Sequence, residues 1–281
     1  LTFWGSDLYQ VSGVNNYNKQ FEGLHKADLI TVNALEIKEA VLTKFGRDLN
    51  PKLRDADFRL SKSKLERIEQ RKKENANSSF KQKHGIPEEK IIVTLGYSAS
   101  SKQKHIEILK ILNELDEKYK SRIFVLIPMT YGLEHEDEDY LEKVKDVCNK
   151  INLETKILED YLVDDELVDF IISSEITLNL RDTDALNAAM LESLFAGNIV
   201  VNGAWLPYGK LRRLGIHYRE IENIMELKSL IPEILDNQGQ EKERALVNPE
   251  IIRKNFLYEN TISEWKNIYD ELYTGQSRNM K

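Results

Sequence analysis

Two acidic side chains eight positions apart, Asp184 and Glu192, combine residue type and spacing in a way that could do chemistry. They belong to the segment DTDALNAAMLESLFAG (residues 182–197), which follows an apolar run and is predicted to form an amphipathic helix. Eight residues are a little over two helical turns, so both carboxylates would project to nearly the same side. A carboxylate can accept two hydroxyl hydrogen bonds at once, as a sugar or ribose diol offers them.

The start of this helix is a candidate anion site. Its first backbone N–H groups have no partner within the helix, and the helix dipole favours negative charge there. Asp184 or Thr183 is predicted to be the N-cap residue. Residues 185–188 have small or modest side chains, so a phosphate could approach their amides closely. The plain alternative is that Asp184 is only a cap and Glu192 only a solvated residue.

Strand and helix patterns alternate from Ile91 onward and would position these residues. Such alternation implies βαβ crossovers and a parallel sheet with helices on both faces. A doubly wound, Rossmann-like domain of this kind binds ligands at the carboxyl ends of its strands. The predicted strands are 91–96, 122–128, 155–158, 175–180 and 198–203, and the predicted helices are 105–115, 138–151, 164–174 and 182–197.

Upstream of Ile91 the sequence gives fewer indications of regular strands and helices. LTFW and ADLITVN are predicted strands, and LEIKEAVLTKFG is a predicted helix, which resembles half of an α/β domain. Residues 47–84 are highly charged, and we expect a solvated helix there; because glutamates interrupt its basic residues, a membrane-surface or polyanion role is the minor alternative. We therefore divide the chain into a partial Rossmann-like domain, a charged connection, a ligand-binding Rossmann-like domain and C-terminal helices that pack back across the domains, at 1–60, 61–84, 85–240 and 241–281.

Bulk composition excludes several classes of protein. The 281 residues suggest about two domains. With 40 basic and 47 acidic residues the formal charge is -7, which argues against a dedicated nucleic-acid binder. A single cysteine, Cys148, excludes an internal disulfide framework and fits a reducing cytoplasm. The sequence shows neither a signal peptide nor an apolar run of roughly 18 residues. Because it opens on Leu1 without a methionine, we expect a preceding part to be missing.

The stretch VDDELVDFIISSEITLNLRDTDALNAAMLESLFAGNIVVNG resembles the carboxyl domain of family-4-type glycosyltransferases with the GT-B fold. Those enzymes carry an E-x7-E pair followed by a small-G-x-x-V-V strand. Glu192 matches the second acid, and Asp184 stands where the first is usually glutamate. Upstream, WGSD and ADLITVNALEIKEAVLTKFG resemble motifs of the family's amino-terminal domain, with Trp4 in place of a histidine. The resemblance covers nearly the whole chain and implies that roughly the first third of a complete enzyme is absent.

The resemblance also implies roles for individual residues. Asp184 would hold the transferred sugar, and Glu192 would bind the ribose hydroxyls of the donor. GYSASSKQKH resembles the family's G-R-x-x-x-x-K-G loop, in which Lys102 or Lys104 would neutralise the leaving diphosphate; alignment does not choose between them, and Lys104 is taken as the catalytic one. The other expected donor-binding residues are Gly96, Tyr97, Arg181, Leu186, Asn187 and Ala188, and the expected acceptor-side residues are Gly5 and Asp7.

The implied activity is retaining transfer of a hexosyl unit from a nucleotide-diphosphate sugar to a glycan or lipid-linked acceptor, without a cofactor or bound metal. A bacterial-type cell-surface polysaccharide pathway, cytoplasmic or at the inner face of the cell membrane with peripheral attachment, is the expected setting. Two alternatives stay open: an inverting GT-B transferase and a non-catalytic GT-B-like binding subunit. Asp182 and Asp184 also form the D-x-D pair by which another glycosyltransferase fold binds metal, but the doubly wound pattern around them favours the metal-free interpretation.

Overall fold

The structure is a computed structural model that describes residues 1–3, 5–9, 11–57, 60–132 and 139–279, without the side chains of residues 6 and 275–279. Within this part of the chain eight strands form two sheets, one of two strands and one of six, and every pairing is parallel. The strands are β1 (Ile30–Val32), β2 (Leu53–Asp55), β3 (Ile91–Leu95), β4 (Ile123–Pro128), β5 (Thr155–Leu158), β6 (Ile176–Asn179), β7 (Ile199–Gly203) and β8 (Arg219–Ile221).

Helices connect and cover these strands. The α-helices among the described residues are α1 (Ser6–Tyr9), α2 (Val14–Lys26), α3 (Leu35–Phe45), α4 (Lys62–Lys73), α5 (Ala76–His84), α6 (His105–Asn113), α7 (Glu117–Lys120), α8 (Tyr140–Lys150), α9 (Asp164–Ser173), α10 (Ala188–Ala196), α11 (Gly209–Leu214), α12 (Leu227–Asp236), α13 (Gln238–Ala245), α14 (Asn248–Phe256) and α15 (Tyr258–Asn279).

The six-stranded sheet has the order β5-β4-β3-β6-β7-β8. The chain therefore builds outward from β3 in one direction and then returns to build outward from β6 in the other. The helix after β3, α6, packs on one face of the sheet, while the helix after β6, α10, packs on the other. A crevice opens between two such helices at the carboxyl ends of the neighbouring strands, which is where doubly wound proteins bind ligands.

Alternating residues of the central strands face the two covered sides of the sheet. In β3, Val93 and Leu95 belong to the core under α6, α8 and α12, whereas Ile92 belongs to the core under α4, α5, α9, α10 and α14. Both faces of the sheet are apolar because helices cover both of them. The nearly continuous hydrophobic runs of the strands predict this arrangement. Polar side chains interrupt the second face at the carboxyl ends of two strands, at Thr94 of β3 and at Thr177 and Asn179 of β6.

The predicted alternation of residues 91–203 is confirmed, and two short strands, one in each sheet, were missed. All five predicted strands and all four predicted helices of residues 91–203 are present, although two helices begin differently from the prediction: α10 starts at Ala188, and the predicted start of α8 at Glu138 lies outside the described residues. The missed strands, β2 and β8, have three residues each, which is too short to show a period of two. LTFW is not a strand: Thr2 forms an isolated bridge to Thr31, and Trp4 lies outside the described residues.

The expectation of a solvated helix within residues 47–84 is wrong. Helix α4 buries Leu65 and Ile68 and packs on α9. On the same face Arg67 donates two hydrogen bonds to Asp165, and Arg71 donates two to Asp169. Since the partners are four residues apart on both helices, α4 and α9 face each other along a row of ion pairs. The abundance of charge in this segment therefore marks an interface.

The amino-terminal part has its own small core and contacts the loop before α10. Phe3, Leu24, Ile37 and other apolar residues of 1–53 pack together around β1 and β2. Helix α15 contacts this part of the chain: Trp265 donates to the carbonyl of Asp57, and Glu271 pairs with Arg54. The division of the chain at residues 60, 84 and 240 stays a prediction.

Candidate functional site

A cavity of about 240 Å³ lies at the carboxyl ends of β3 and β6. Its floor is formed by the polar strand residues Thr94, Thr177 and Asn179, and its walls by α9, by α10 and by the residues that follow β4. Most of the other lining side chains are apolar, among them Leu162 and Phe170. The cavity thus occupies the switch point of the sheet and combines apolar walls with a few polar groups, as pockets for small ligands do.

Gly96 ends β3 at the rim of this cavity. Its φ is 63°, and a Cβ at this position would lie 2.6 Å from Oε1 of Gln103, so a side chain has no room. Gln103 is buried and donates through Nε2 to the Ser98 hydroxyl at 3.1 Å, which fixes the loop between β3 and α6. The predicted donor-binding residue Gly96 therefore lines the cavity. Only glycine fits at this position, because Gln103 occupies the space that a side chain would need.

Helix α10 begins four residues later than Asp184, and its cap is different from the predicted one. Asn187 is the N-cap residue: its Oδ1 accepts from the backbone N–H of Met190 at 2.7 Å. The expectation that Asp184 or Thr183 caps the helix is wrong, because residues 184–187 form a loop in which Leu186 has a φ of 52°. Ala188 and Ala189, the first residues of the helix, line the cavity. Their backbone N–H groups belong to the helix N-terminus, which attracts anions.

Asp184 is buried and lies in the loop that precedes α10. Its Oδ1 accepts from the backbone N–H of Ala185 at 2.8 Å, and its Oδ2 accepts from the Tyr208 hydroxyl at 2.6 Å and from the Asn187 amide. Burial, followed by the nearby Asp184 charge, holds the pKa of Tyr208 far above its ordinary value, so Tyr208 acts as a donor. The prediction that Asp184 and Glu192 project from one helix is therefore wrong, and the Asp184 oxygens are engaged within the protein.

Glu192 lies on α10 and lines the cavity, 6% exposed. Its Oε1 is 2.7 Å from Nζ of Lys64, which belongs to α4 and lines the same cavity. Burial raises the pKa of the Glu192 carboxyl, and the Lys64 ammonium opposes that rise. The interpretation of Glu192 as a solvated residue is therefore excluded. Lys64 was missed, since nothing in the local sequence links two residues 128 positions apart.

Tyr97 and Arg181 form a pair at the cavity wall. The Arg181 guanidinium donates to the Tyr97 hydroxyl, lies 5.5 Å from the ring centroid and is 3.9 Å from Oδ1 of Asp184. Burial and the Asp184 charge raise the pKa of Tyr97, so this phenol stays neutral. Tyr97 lines the cavity, whereas Arg181 contacts Tyr97 and is not among the residues that line it. The donor-binding role of both residues stays a prediction.

The two candidate lysines lie elsewhere. Lys102 is exposed, and its backbone carbonyl accepts from the N–H of Asp182. Nζ of Lys104 is 2.9 Å from Asp182 and 4.7 Å from the centroid of the Trp205 ring. Lys104, Asp182 and Trp205 line a separate open depression that also contains Asn223. The structure therefore does not bring Lys104 to the cavity of Glu192, and the two carboxylates of the D-x-D pair have different partners.

The acceptor-side candidates lie against the loop before α10. Gly5 has a φ of 99°, and a Cβ there would be 2.8 Å from Cβ of Ala185. Asn33 donates to the carbonyl of Ala185 at 2.8 Å. The carbonyl of Asp7 accepts from Gln20, and its side chain is half-buried. The amino-terminal part thus contacts the loop that contains Asp184.

The single cysteine and two of the histidines are the other candidate side chains for chemistry. Cys148 is half-buried, and burial raises the pKa of its thiol. His105 is buried with Nδ1 3.0 Å from the Tyr140 hydroxyl, and His135 lies outside the described residues. Within the described ranges no group of three or more His, Cys, Asp or Glu side chains could hold a metal ion. No helix there is long and apolar enough to cross a membrane.

Comparison with solved structures identifies the fold. Sucrose-phosphate synthase from Thermosynechococcus elongatus superposes with a TM-score of 0.73 at 13% identity, over 98% of this chain and 67% of that one. Anabaena HepE in complex with UDP and glucose gives 0.71 at 13% identity, over 92% and 67%. WaaG, a glycosyltransferase involved in lipopolysaccharide biosynthesis, gives 0.65 at 12% identity, over 93% and 70%.

These neighbours are glycosyltransferases with the GT-B fold, so the fold that the sequence resemblance implied is confirmed. No family model matches the sequence, and no curated protein matches it significantly. At identities of 12–13% the likeness defines the architecture and leaves activity and substrates to be argued from the site.

Proposed function

We propose that the protein is a glycosyltransferase that takes a hexosyl unit from a nucleotide-diphosphate sugar. The observation that carries this proposal is the cavity at the switch point of the sheet, with the buried Glu192 carboxylate at its wall and the start of α10 beside it. A nucleotide offers complementary groups: a flat apolar base, a diol and an anionic diphosphate. The GT-B fold adds support, since its solved members include proteins with UDP bound.

Each part of a nucleotide has a suitable place. The Glu192 carboxylate would accept hydrogen bonds from the two ribose hydroxyls. The apolar walls near Leu162 would contact the base. The backbone N–H groups of Ala188 and Ala189 would bind the diphosphate, helped by the helix dipole. Arg181 is the cation that we assign to the leaving diphosphate in place of Lys104, because its guanidinium donates to the hydroxyl of Tyr97, which lines the cavity.

In the proposed reaction the bond between the sugar's anomeric carbon and the diphosphate oxygen breaks, and an acceptor hydroxyl oxygen bonds to that carbon. The hydroxyl proton passes to the departing phosphate, and the electron pair of the broken bond leaves with the nucleoside diphosphate. Attack from the leaving-group face would retain the anomeric configuration, as the family resemblance implies. The protein would contribute positioning and electrostatic stabilisation of the diphosphate, without a metal.

A glycan or lipid-linked acceptor, and a role in cell-surface polysaccharide synthesis at the inner membrane face, are part of the proposal and rest on the sequence resemblance. The neighbours act in chemically different settings, from sucrose phosphate to lipopolysaccharide. Acceptor choice therefore needs an experiment of its own, and product anomer analysis would separate retention from inversion.

Calorimetric titration of UDP, GDP, TDP and CMP tests the nucleotide site. We expect selective binding of one nucleotide and a loss of about 100-fold in affinity in Glu192→Ala, because two hydrogen bonds to a charged acceptor disappear. The matched control is Glu142→Ala, which removes a glutamate whose side chain is 70% exposed on α8 and should leave affinity unchanged. A folded wild-type protein that binds none of the four nucleotides would refute the proposal.

A second candidate is a GT-B-like protein that binds a nucleotide sugar without transferring the sugar. Two observations favour it: the Asp184 carboxylate is engaged by three internal donors, and Lys104 is paired with Asp182 away from the cavity. Turnover separates the two candidates. Release of free UDP from UDP-glucose or another bound donor, accelerated by an acceptor, supports the enzyme, whereas tight binding without release supports the binding protein.

A further inference from the structure

One wall of the cavity comes from a helix that is distant in sequence from Glu192. Helix α4 precedes the six-stranded sheet in the chain, yet it places Lys64 in the cavity opposite Glu192. The Nζ–Oε1 distance is 2.7 Å, and the side chains are 31% and 9% exposed. The ammonium therefore reaches solvent on one side and the buried carboxylate on the other.

Other contacts fix the position of α4, so Lys64 does not depend on its own ion pair to stay in place. Arg67 and Arg71 are paired with carboxylates of α9, at Asp165 and Asp169. Lys72, at the far end of the helix, donates to the carbonyl of Ala196 at 2.6 Å, which closes the end of α10. Two arginine pairs and one lysine contact thus hold α4 along both walls of the cavity.

Few of the described titratable side chains line the cavity around Glu192. Of the described side chains that line the cavity, the titratable ones besides Glu192 are Lys64 on α4, Tyr97 after β3 and Tyr131 after β4. Burial raises the pKa of Tyr131 to about 12 and raises that of Tyr97 as well, so both phenols are neutral near pH 7. Lys64 is therefore the cation in the cavity lining that balances the Glu192 carboxylate. A buried carboxylate without a cation takes up a proton at higher pH.

We propose that Lys64 is a positioning residue of the nucleotide site, whose ammonium holds Glu192 ionised and oriented so that the carboxylate accepts the ribose diol. This inference rests on the proposed nucleotide-binding function. Lys64 contacts Oε1, and Oε2 is the oxygen that we assign first to the ribose hydroxyls. A protonated Glu192 would present a donor where the diol also donates, so removal of Lys64 weakens binding in a pH-dependent way.

Titration of UDP between pH 5 and pH 8 tests the inference. In Lys64→Met we expect the acid-side loss of UDP affinity to begin about 1–3 pH units higher than in the wild type, since a neighbouring opposite charge shifts a carboxyl pKa by that amount. Lys64→Arg should restore the wild-type profile. Lys62→Met removes an exposed cation of the same helix that pairs with Glu66, and its profile should match the wild type. Because UDP itself titrates, the variants are compared at each pH.

The diol provides the second control. We expect 2′,3′-dideoxy-UDP, which has the same diphosphate and no diol, to bind wild type and Lys64→Met with equal affinity at every pH. If Lys64→Met binds UDP with an unshifted profile, the role of Lys64 is overturned while the nucleotide site stands. If the folded wild type binds no nucleotide of the panel, the proposed function fails and this inference fails with it.

Discussion

The two acids that flank the start of α10 are both buried, but the protein satisfies them in different ways. Asp184 lies in a closed network, where a backbone amide, a phenol and a side-chain amide donate to it. Glu192 lies in an open cavity and has a single cation, Lys64, as its partner. Buried polar groups that already have several partners stabilise a fold, whereas a buried carboxylate beside a cavity keeps capacity for a ligand.

This difference assigns separate tasks to two residues that the sequence presents as a pair. The network around Asp184 shapes the loop of residues 184–187 and so fixes where α10 begins. The carboxylate of Glu192 is then carried by that helix into the cavity. Four substitutions test the contrast, and they are ordered from the largest expected effect to the smallest.

Asp184→Ala should produce the largest loss of stability. It leaves the buried Tyr208 hydroxyl without the carboxylate that accepts from it and removes one of the two acceptors of the Asn187 amide, so we expect the free energy of unfolding to fall by about 3 kcal/mol. Urea denaturation followed by circular dichroism measures it. Asp182→Ala, which removes an exposed neighbouring carboxylate, should change the value by no more than about 0.5 kcal/mol. Equal losses in the free energy of unfolding for Asp184→Ala and Asp182→Ala would contradict a structural role of the network around Asp184.

Tyr208→Phe isolates one member of the closed network. The ring is 1% exposed and is retained, while the hydroxyl that donates to Asp184 and accepts from Asn179 at 3.1 Å is lost. We expect a decrease of about 1.5 kcal/mol in the free energy of unfolding. Nucleotide affinity should change little, because Tyr208 does not line the cavity. A large affinity loss in a stable variant would place this hydroxyl in the ligand site.

Arg71→Met tests the ion pairs that support the Glu192 side of the cavity. Its guanidinium side chain is 20% exposed and pairs with Asp169, so we expect a loss of about 1 kcal/mol at low salt. Raising NaCl to 1 M should reduce that loss by screening, and should leave the Tyr208→Phe effect unchanged. Arg47→Met is the matched control, since Arg47 is 72% exposed and pairs with Glu39 on the surface. A salt-independent loss would contradict an electrostatic role.

The pH dependence of stability tests Glu192 itself and should be the smallest effect. Because burial raises its pKa, the folded state holds the Glu192 proton more tightly than the unfolded state. This stabilisation is fully present below the ordinary pKa of glutamate and is lost as pH rises through the raised value. The wild type should therefore lose stability relative to Glu192→Gln between pH 4 and pH 7, as urea denaturation at each pH would measure. A constant stability difference between the two proteins would mean that Lys64 cancels the effect of burial on the Glu192 pKa, and a relative gain in wild-type stability as pH rises would mean that Lys64 outweighs it.

The parallel sheet could be predicted from sequence because its signals are local. Runs such as IIVTLG and RIFVLIP show burial on both faces, and the helices between them show periodic apolar residues. The sequence also indicates two polar residues of the cavity floor. Thr177 and Asn179 alternate with Ile176 and Leu178 in an otherwise apolar strand. That alternation could have found the cavity floor.

The partners of the site could not be predicted, since they come from distant parts of the chain. The spacing of Asp184 and Glu192 suggested one helix with both acids on nearly the same side, whereas α10 begins after its N-cap Asn187 and leaves Asp184 in the preceding loop. Lys104 has the right charge and the expected place in the sequence, yet Asp182 and Trp205 hold it outside the cavity. The spacing of two residues in the sequence predicts the relative direction of their side chains only when both residues lie in the same helix or strand.

The sequence by itself determined the doubly wound architecture, the strand that ends at Gly96 and the presence of Glu192 on a helix that follows a strand of the sheet. Only the tertiary structure decided that Asp184 is buried within the loop before α10 and that Lys64 of a distant helix faces Glu192. The physical reason is that hydrophobic periodicity acts between neighbours along the chain, whereas burial and charge compensation depend on which elements the whole fold brings together.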